Sequence, residues 1–167
     1  MAPARSWRSA FTFPASPISC TAASTSAPLT AATLVRPVLT SAFETNSVSA
    51  TAATGTVNVD LSTAAVHYYT ANSAANWTFN FRGNSSTTLN SILSVGQSAT
   101  VAFLVTNGST AYYPTAFQVD GVAVTPKWQG GTAPSSGSAS SIDSYTFTII
   151  KTASATYTVL ASQVKFA

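Results

Sequence analysis

The sequence predicts an all-β protein, an antiparallel β-sandwich or jelly-roll-like domain preceded by an extended N-terminal arm. Two observations predict this class. From residue 47 onward, short runs alternate apolar and polar residues with the period of two that half-buried strands show. Turn residues separate these runs at spacings of about 8 to 12 residues, which indicates about seven to nine strands in one domain. No internal repeat of the solenoid type is visible.

The first 45 residues differ in composition from the rest of the chain. They are rich in proline, alanine and serine, and they contain Arg5, Arg8 and Arg36 but no acid before Glu44. Their prolines exclude a long helix. Three interpretations stay open: an organelle-targeting segment, a disordered tail, or an extended arm that wraps a neighbouring subunit. We favour the arm, so that residues 1–45 form the arm and residues 46–167 form the β-domain.

The apolar runs follow one another along the β-domain. The predicted strands lie at residues 56–61, 65–70, 77–83, 98–108, 111–121, 122–128, 143–152 and 155–167. In the third run Trp77, Phe79 and Phe81 share one face, and we expect Trp77 in the core. The run 98–108 is apolar on both faces at its centre, which predicts a strand buried between two layers.

Turn residues support this order. Asp120-Gly121 between two alternating runs is a strong hairpin signal, and Asn107-Gly108 is a tight-turn signal after the preceding run. Pro114 favours a sheet edge or a bulge for its run. The last two runs are predicted to form a C-terminal hairpin. Residues 85–93, with apolar side chains at helical spacing, are the candidate helical turn.

Charge composition argues against two classes of partner. Only 7% of the residues are charged, against roughly 25% in typical soluble domains. After residue 45 the cations are scattered singly, whereas phosphate binding needs clustered Lys and Arg, so we expect no nucleic-acid partner. No apolar run approaches the roughly 20 residues that span a bilayer, so we expect no membrane partner.

Residues that carry catalysis are sparse. His67 is the only histidine and lies in a predicted strand beside two tyrosines, where we expect a structural role. The acids are too dispersed to nominate an acid–base pair, and no phosphate-binding or calcium-binding loop motif occurs. Cys20 is the only cysteine, which excludes an internal disulfide and a cysteine-based metal site. We therefore expect no enzymatic activity, no catalytic residues, no cofactor and no metal.

Aromatic side chains are the remaining candidates for binding, because Tyr and Trp combine a large apolar area with a polar group. Tyr112 and Tyr113 follow the Asn-Gly turn signal. Lys127 and Trp128 precede a Gly- and Ser-rich run, residues 130–141, that is typical of a long surface crossover. We nominate these four residues as subunit contacts or as a glycan platform, with Trp128 as the leading exposed contact residue.

Several stretches together resemble a known domain. They are ATGTVNVD, VHYYTANSAANWTFNFRG, VGQSATVAFLVTNGSTAYY, KWQGGTAPSSGSASSIDSYTFTIIKT and YTVLASQVKFA. They look like a domain of virion structural proteins from tailed phages of marine cyanobacteria and related marine viruses. The resemblance covers about residues 48–167, carries no residue-level site with it, and does not extend to the N-terminal arm.

The resemblance implies a non-enzymatic, oligomeric β-domain on a virus particle. The expected function is a capsid decoration protein or a tail or fibre component, located on the extracellular virion. Its expected partners are other virion proteins and further copies of itself, with a trimer as one candidate symmetry. An alternative is a lectin-like tip domain that binds a host-surface glycan. The N-terminal composition alone supports a third reading, an organelle-targeted eukaryotic protein.

Overall fold

The computed structural model describes residues 43–166 of the chain, which contain ten strands and one short helix. The strands are β1 (Ser47–Ser49), β2 (Gly55–Asp60), β3 (Val66–Tyr69), β4 (Trp77–Arg82), β5 (Ser98–Thr106), β6 (Pro114–Val119), β7 (Val122–Ala123), β8 (Lys127–Trp128), β9 (Ile142–Ala153) and β10 (Thr156–Phe166). The helix α1 (Leu89–Ile92) confirms the predicted helical turn. A 3₁₀ turn occupies Gln129–Gly131. The predicted arm lies outside the described residues, except for its last three.

Two sheets contain all ten strands, which confirms the all-β class. Sheet A has the order β1-β3-β5-β9-β10-β8, and sheet B has the order β2-β4-β6-β7. The first six strands alternate between the sheets. Residues 47–119 therefore wind as three successive coils, each of which contributes one strand to each sheet.

The predicted antiparallel pairing is wrong for most strand pairs. Parallel pairs join β1 to β3, β3 to β5, β2 to β4, β4 to β6 and β8 to β10, and only β5–β9, β9–β10 and β6–β7 are antiparallel. The alternation explains this, because a chain that crosses to the other sheet and returns re-enters its own sheet in the original direction. Half-buried strands alternate apolar and polar residues in either orientation, so the pattern could not reveal the difference.

An aromatic core lies between the two sheets. Sheet B contributes Trp77, Phe79 and Phe81, and sheet A contributes Phe103 and Phe147; all five side chains are buried. The ring centroids of Phe79 and Phe103 are 4.7 Å apart, as are those of Phe81 and Phe147. Such tilted or edge-to-face pairs add about 0.5–1.5 kcal/mol each beyond the area that they bury. The prediction of Trp77 as a core residue is confirmed.

The described residues cover only one of the two faces of strand β5. The prediction that this strand is buried between two layers is therefore wrong. Its inward side chains Val101, Phe103 and Val105 are buried, whereas the outward Ala102 and Leu104 are half-buried. The apolar character of its outward side therefore does not come from burial within residues 43–166. It contributes instead to an apolar outer surface.

The turn signals have different outcomes. Asp120 and Gly121 have φ of 53° and 80° and join β6 to β7 with Val119 opposite Val122, which confirms the predicted hairpin. Asn107-Gly108 forms no hairpin, because β5 and β6 belong to different sheets. A bulge in the β4–β6 pairing next to Pro114 agrees with the bulge prediction.

The C-terminal hairpin is confirmed by the long β9–β10 pair. The predicted strand 122–128 divides into β7 and β8, because the chain crosses there from sheet B to sheet A. The crossing passes through Pro126, which is buried and has no N–H to donate to a ladder.

Candidate functional site

The four predicted binding residues lie in two places. Lys127 and Trp128 form the edge strand β8, and Tyr112 and Tyr113 lie in the connection between β5 and β6. Among the described residues no hydrogen bond or aromatic contact joins one pair to the other. The structure therefore does not bring the four side chains together into one site, and their role in binding stays a prediction.

Strand β8 borders a groove on the edge of sheet A. Lys127 lies opposite Leu160 of β10, and Trp128 lies opposite Ala161. The groove has a volume of about 360 Å³ and is lined mainly by Lys127, Trp128, Gln129, Thr146, Thr148 and Leu160. The Lys127 side chain is exposed, so it is free to contact a partner at this edge.

Trp128 is not exposed as expected but is half-buried between the two sheets. Its ring centroid lies 5.5 Å from that of Phe117 in sheet B and 6.2 Å from that of Phe147 in sheet A, in edge-to-face arrangements. The small side chain of Ala161 opposite leaves room for the indole over the core. Trp128 thus fastens β8 to the domain, and only its remaining exposed part is available to a partner.

Tyr112 and Tyr113 are half-buried and help to hold the β5–β6 connection. Tyr112 packs against the core, and its carbonyl oxygen accepts a hydrogen bond from Nδ2 of Asn107 at 3.2 Å. The N–H of Tyr113 donates to Oδ1 of Asn76 at 3.1 Å. These contacts give both tyrosine residues a structural role within the domain.

A buried carboxylate holds the Gly- and Ser-rich crossover between β8 and β9. Asp143 is 0% exposed. Its Oδ2 accepts hydrogen bonds from the N–H of Ser138 at 2.9 Å and from Nδ2 of Asn107 at 3.1 Å, while Oδ1 has no partner among the described residues. Asn107 in turn accepts a hydrogen bond from Oγ of Ser73. One cluster therefore ties together three connections that are distant in sequence.

Gly137 packs directly onto this cluster. A Cβ atom at this position would overlap the carbonyl oxygen of Tyr112 and would lie 2.8 Å from both Oδ2 of Asp143 and Nδ2 of Asn107. Only glycine fits such a close approach of backbone to buried polar groups. The crossover therefore packs closely against the polar cluster of Asp143 and Asn107.

Two further ionised side chains hold helix α1. The Asp120 carboxylate accepts from the N–H groups of Leu89 at 2.7 Å and Asn90 at 2.9 Å. The Lys151 ammonium is buried and donates to the carbonyl oxygens of Asn90 at 2.6 Å and Leu93 at 2.8 Å. An anion at the first turn and a cation at the last turn satisfy the free backbone groups and match the helix dipole.

His67 is buried on the inner side of sheet A. Its Nε2–H donates to the carbonyl oxygen of Ala64 at 3.1 Å. Burial lowers the pKa of His67, and the Ala64 carbonyl and the charge of Asp60 only partly oppose this shift. The ring is therefore neutral near pH 7 and is held by a backbone group.

Residues 43–166 contain no group of three or more His, Cys, Asp or Glu side chains that could hold a metal ion. No helix of that part of the chain is long and apolar enough to cross a membrane.

Sequence reasoning missed the anchoring roles of Asp120, Asp143 and Lys151. Their partners are far along the chain: the carbonyl acceptors of Lys151 lie 58 and 61 residues away. The one local signal was the hairpin turn at Asp120. A scan against models of protein families, a search of curated proteins and a search of solved structures each find no match to this chain.

Proposed function

We propose that this protein is a non-enzymatic virion structural protein, either a capsid decoration protein or a tail or fibre component. In this proposal residues 46–167 form a β-sandwich of two sheets, and residues 1–45 form an extended arm that attaches it to the particle. The protein acts by contact with other virion proteins and with further copies of itself. The resemblance of residues 48–167 to virion structural domains supports the particle as its location.

One observation carries the proposal beyond that resemblance. Among the described residues the outward positions of five neighbouring strands in sheet A hold no charged side chain, and several large apolar side chains are exposed there. A monomeric soluble protein rarely exposes a contiguous apolar patch of more than a few hundred Å². Burying such a face avoids the desolvation of charges, which suits a protein whose work is adhesion.

The ionisable side chains support the same function. Asp120, Asp143 and Lys151 are bound to backbone groups of the fold, and Asp60 pairs with Arg82 at 2.6 Å. These groups therefore stabilise the domain in its folded form. A scaffold that must persist outside a cell needs such internal anchors more than it needs reactive groups.

Quantitative mass spectrometry of purified particles from the virus that encodes the chain tests this function. We expect its peptides at a fixed ratio to the major capsid or tail protein, with peptides from residues 1–45 included. Peptides that are abundant in the infected-cell lysate but absent from purified particles would contradict the proposal. Recovery of residues 46–167 alone would contradict the attached arm and leave the particle location supported.

A second candidate function is glycan binding at the β8 groove, favoured by the threonine hydroxyls and the exposed Lys127 that line it. A glycan array with the full chain and with Lys127→Ala and Thr148→Ala separates it from the first. These substitutions leave the core intact, whereas Trp128→Ala would remove the contacts with Phe117 and Phe147. Binding that both variants abolish supports the tip domain, and an array without signal for the full chain rules it out for the glycans tested.

A further inference from the structure

We propose that the outer face of sheet A is a self-association interface, at which two copies of this chain pack face to face about a two-fold axis. The outer face of sheet A is defined here as the outward side chains of β1, β3, β5, β9 and β10. This interface rests on the structural function proposed above, for which it provides the contact surface and the partner.

A continuous row of outward side chains crosses five strands of sheet A. Residues paired directly across neighbouring strands share a face of the sheet. The registers of four strand pairs place in one row Val48, Tyr68, Leu104, Ser144 and Val164. The row is apolar except for one serine and the tyrosine hydroxyl.

Exposure on this face is high for apolar side chains. Val48 is 66% exposed, Leu160 44%, Val164 49% and Phe166 55%. The other outward positions are mostly threonine, serine and alanine, whose small side chains protrude little, and the groove beside β8 is the one depression described above on this face. Threonine methyl groups also offer apolar contact, and their hydroxyls can form hydrogen bonds across an interface.

The charges of sheet A lie elsewhere. Asp143 and Lys151 alternate in phase with the buried Tyr145, Phe147 and Ile149, so they point inward. Lys165 lies opposite Asp143 and shares its side of the sheet. Lys127 of the edge strand β8 lies opposite Leu160 and shares its outward side, but it stands at the rim of the face, where its ammonium can stay in water. The outer face of sheet A can therefore be buried without desolvating an unpaired charge.

The dimensions of the face match a stable interface. Strands about 4.8 Å apart make the sheet about 25 Å wide, and its longest strands extend about 35 Å. The shorter strands reduce this rectangle, which leaves an area on the order of the 800 Å² that each partner contributes to a standard protein interface.

The absence of charge on the face favours a second copy as the occupant over the parts of residues 1–42 that carry an arginine. Residues 1–42 contain Arg5, Arg8 and Arg36 and no acid, and the outer face of sheet A offers no carboxylate to pair with them. A second copy brings an equally uncharged surface. Two sheets pack about 10 Å apart with interdigitating side chains, and a two-fold axis lets each residue row meet its own counterpart.

This geometry makes a specific prediction about symmetry. A two-fold contact pairs each face with one other copy, so this contact generates dimers or even-numbered assemblies. The trimer considered from the sequence would need a different surface. A direct mass measurement can therefore test whether the assembly contains an even number of copies.

The test compares matched lysine substitutions in the full chain. Val164→Lys places a charge in the outer face of sheet A, and Thr56→Lys places one on the exposed outward side of β2 in sheet B. Light scattering coupled to size-exclusion chromatography over a range of concentrations measures the mass. We expect dimers for the parent chain and for Thr56→Lys, and a dissociation constant raised at least about tenfold for Val164→Lys, because its ammonium would be buried unpaired.

Leu160→Lys repeats the test if Val164→Lys does not keep the parent melting temperature. A parent chain that is monomeric at all concentrations overturns the proposal. Dimers weakened equally by Thr56→Lys, or dimers insensitive to both lysines in sheet A, also overturn it. Since the mass is measured on the isolated chain, the dimer can fail while the particle location holds, and the particle location can fail while the dimer holds.

Discussion

Except for Lys127 on the edge strand β8, the two sheets place their acidic and basic side chains on opposite sides. In sheet A, His67, Asp143 and Lys151 point inward and bind backbone groups of the connections that cover the domain. In sheet B, Asp60 and Arg82 point outward and pair with each other. In a chain with so few charges, their direction decides which outer face stays in water.

The outer face of sheet B has the features of a solvated surface. Asn58, Asn80 and Gln118 lie side by side in register across three parallel strands. Nδ2 of Asn80 donates to Oδ1 of Asn58 at 2.8 Å, and Oδ1 of Asn80 accepts from the N–H of Gly121 at 2.8 Å. Burying this face would require partners for the remaining amide and carboxylate groups. The contrast teaches that the uncharged face of sheet A is the better contact surface.

The largest effect is expected from the inward charge Asp143. Asp143→Ala leaves the N–H of Ser138 and Nδ2 of Asn107 without their acceptor, and each hydrogen bond to a charged group contributes about 1.5–3 kcal/mol. We expect the free energy of unfolding to fall by about 3 kcal/mol in urea denaturation. Ser135→Ala, on the exposed part of the same crossover, is the control. A loss below about 1 kcal/mol would contradict the anchoring role of the carboxylate.

A smaller effect is expected from Gly137→Ala, which adds one methyl group against the same cluster. The overlap with the Tyr112 carbonyl forces the crossover to shift, and overpacking of this kind costs about 1–3 kcal/mol. Thermal unfolding followed by circular dichroism measures the change against Ser136→Ala, an exposed neighbour. Unchanged stability would mean that the crossover moves freely and does not fit the cluster.

His67 makes stability depend on pH. The pKa of the folded state lies below the ordinary value of 6.5, so between these two values the unfolded state binds more protons. Stability should therefore rise with pH through this window and be independent of His67 above it. Urea unfolding between about pH 5 and pH 8 measures the slope, and His67→Gln, which keeps a donor for the Ala64 carbonyl, should remove this component. Equal slopes in the two proteins would contradict the buried neutral ring.

The smallest effect is expected from the outward pair of sheet B. Asp60 and Arg82 are half-exposed, and ion pairs in such positions contribute about 0–1 kcal/mol because water and salt screen them. A double-mutant cycle with Asp60→Asn and Arg82→Gln measures the coupling. A coupling as large as the effect of Asp143→Ala would remove the distinction between inward and outward charges.

The sequence predicted the local elements better than their assembly. The alternation of Trp77, Phe79 and Phe81 identified β4 and the core, because burial on one face leaves a direct mark on the pattern. The parallel pairing left no mark, since it depends on which sheet each strand joins. The three coils differ in length and residue type, so no repeat appeared in the sequence.

The candidate site was predicted only in part. The sequence identified Lys127 and Trp128 as a feature next to a long crossover, and the structure places them at the edge of sheet A. The sequence could not show that Ala161, more than thirty residues later, lets the Trp128 ring fold inward. The apolar outer face escaped notice for the same reason, because its row combines single residues from five strands.

Hydroxyl-radical footprinting of the full chain at low and high concentration tests the central claim most directly. Tyr68 and Phe166 report on the outer face of sheet A, and Val122, exposed at the edge of sheet B, serves as the internal reference. We predict that labelling of Tyr68 and Phe166 falls as the concentration rises while that of Val122 stays constant. Constant labelling of Tyr68 and Phe166 under conditions where the mass doubles would contradict the claim that copies meet at this face.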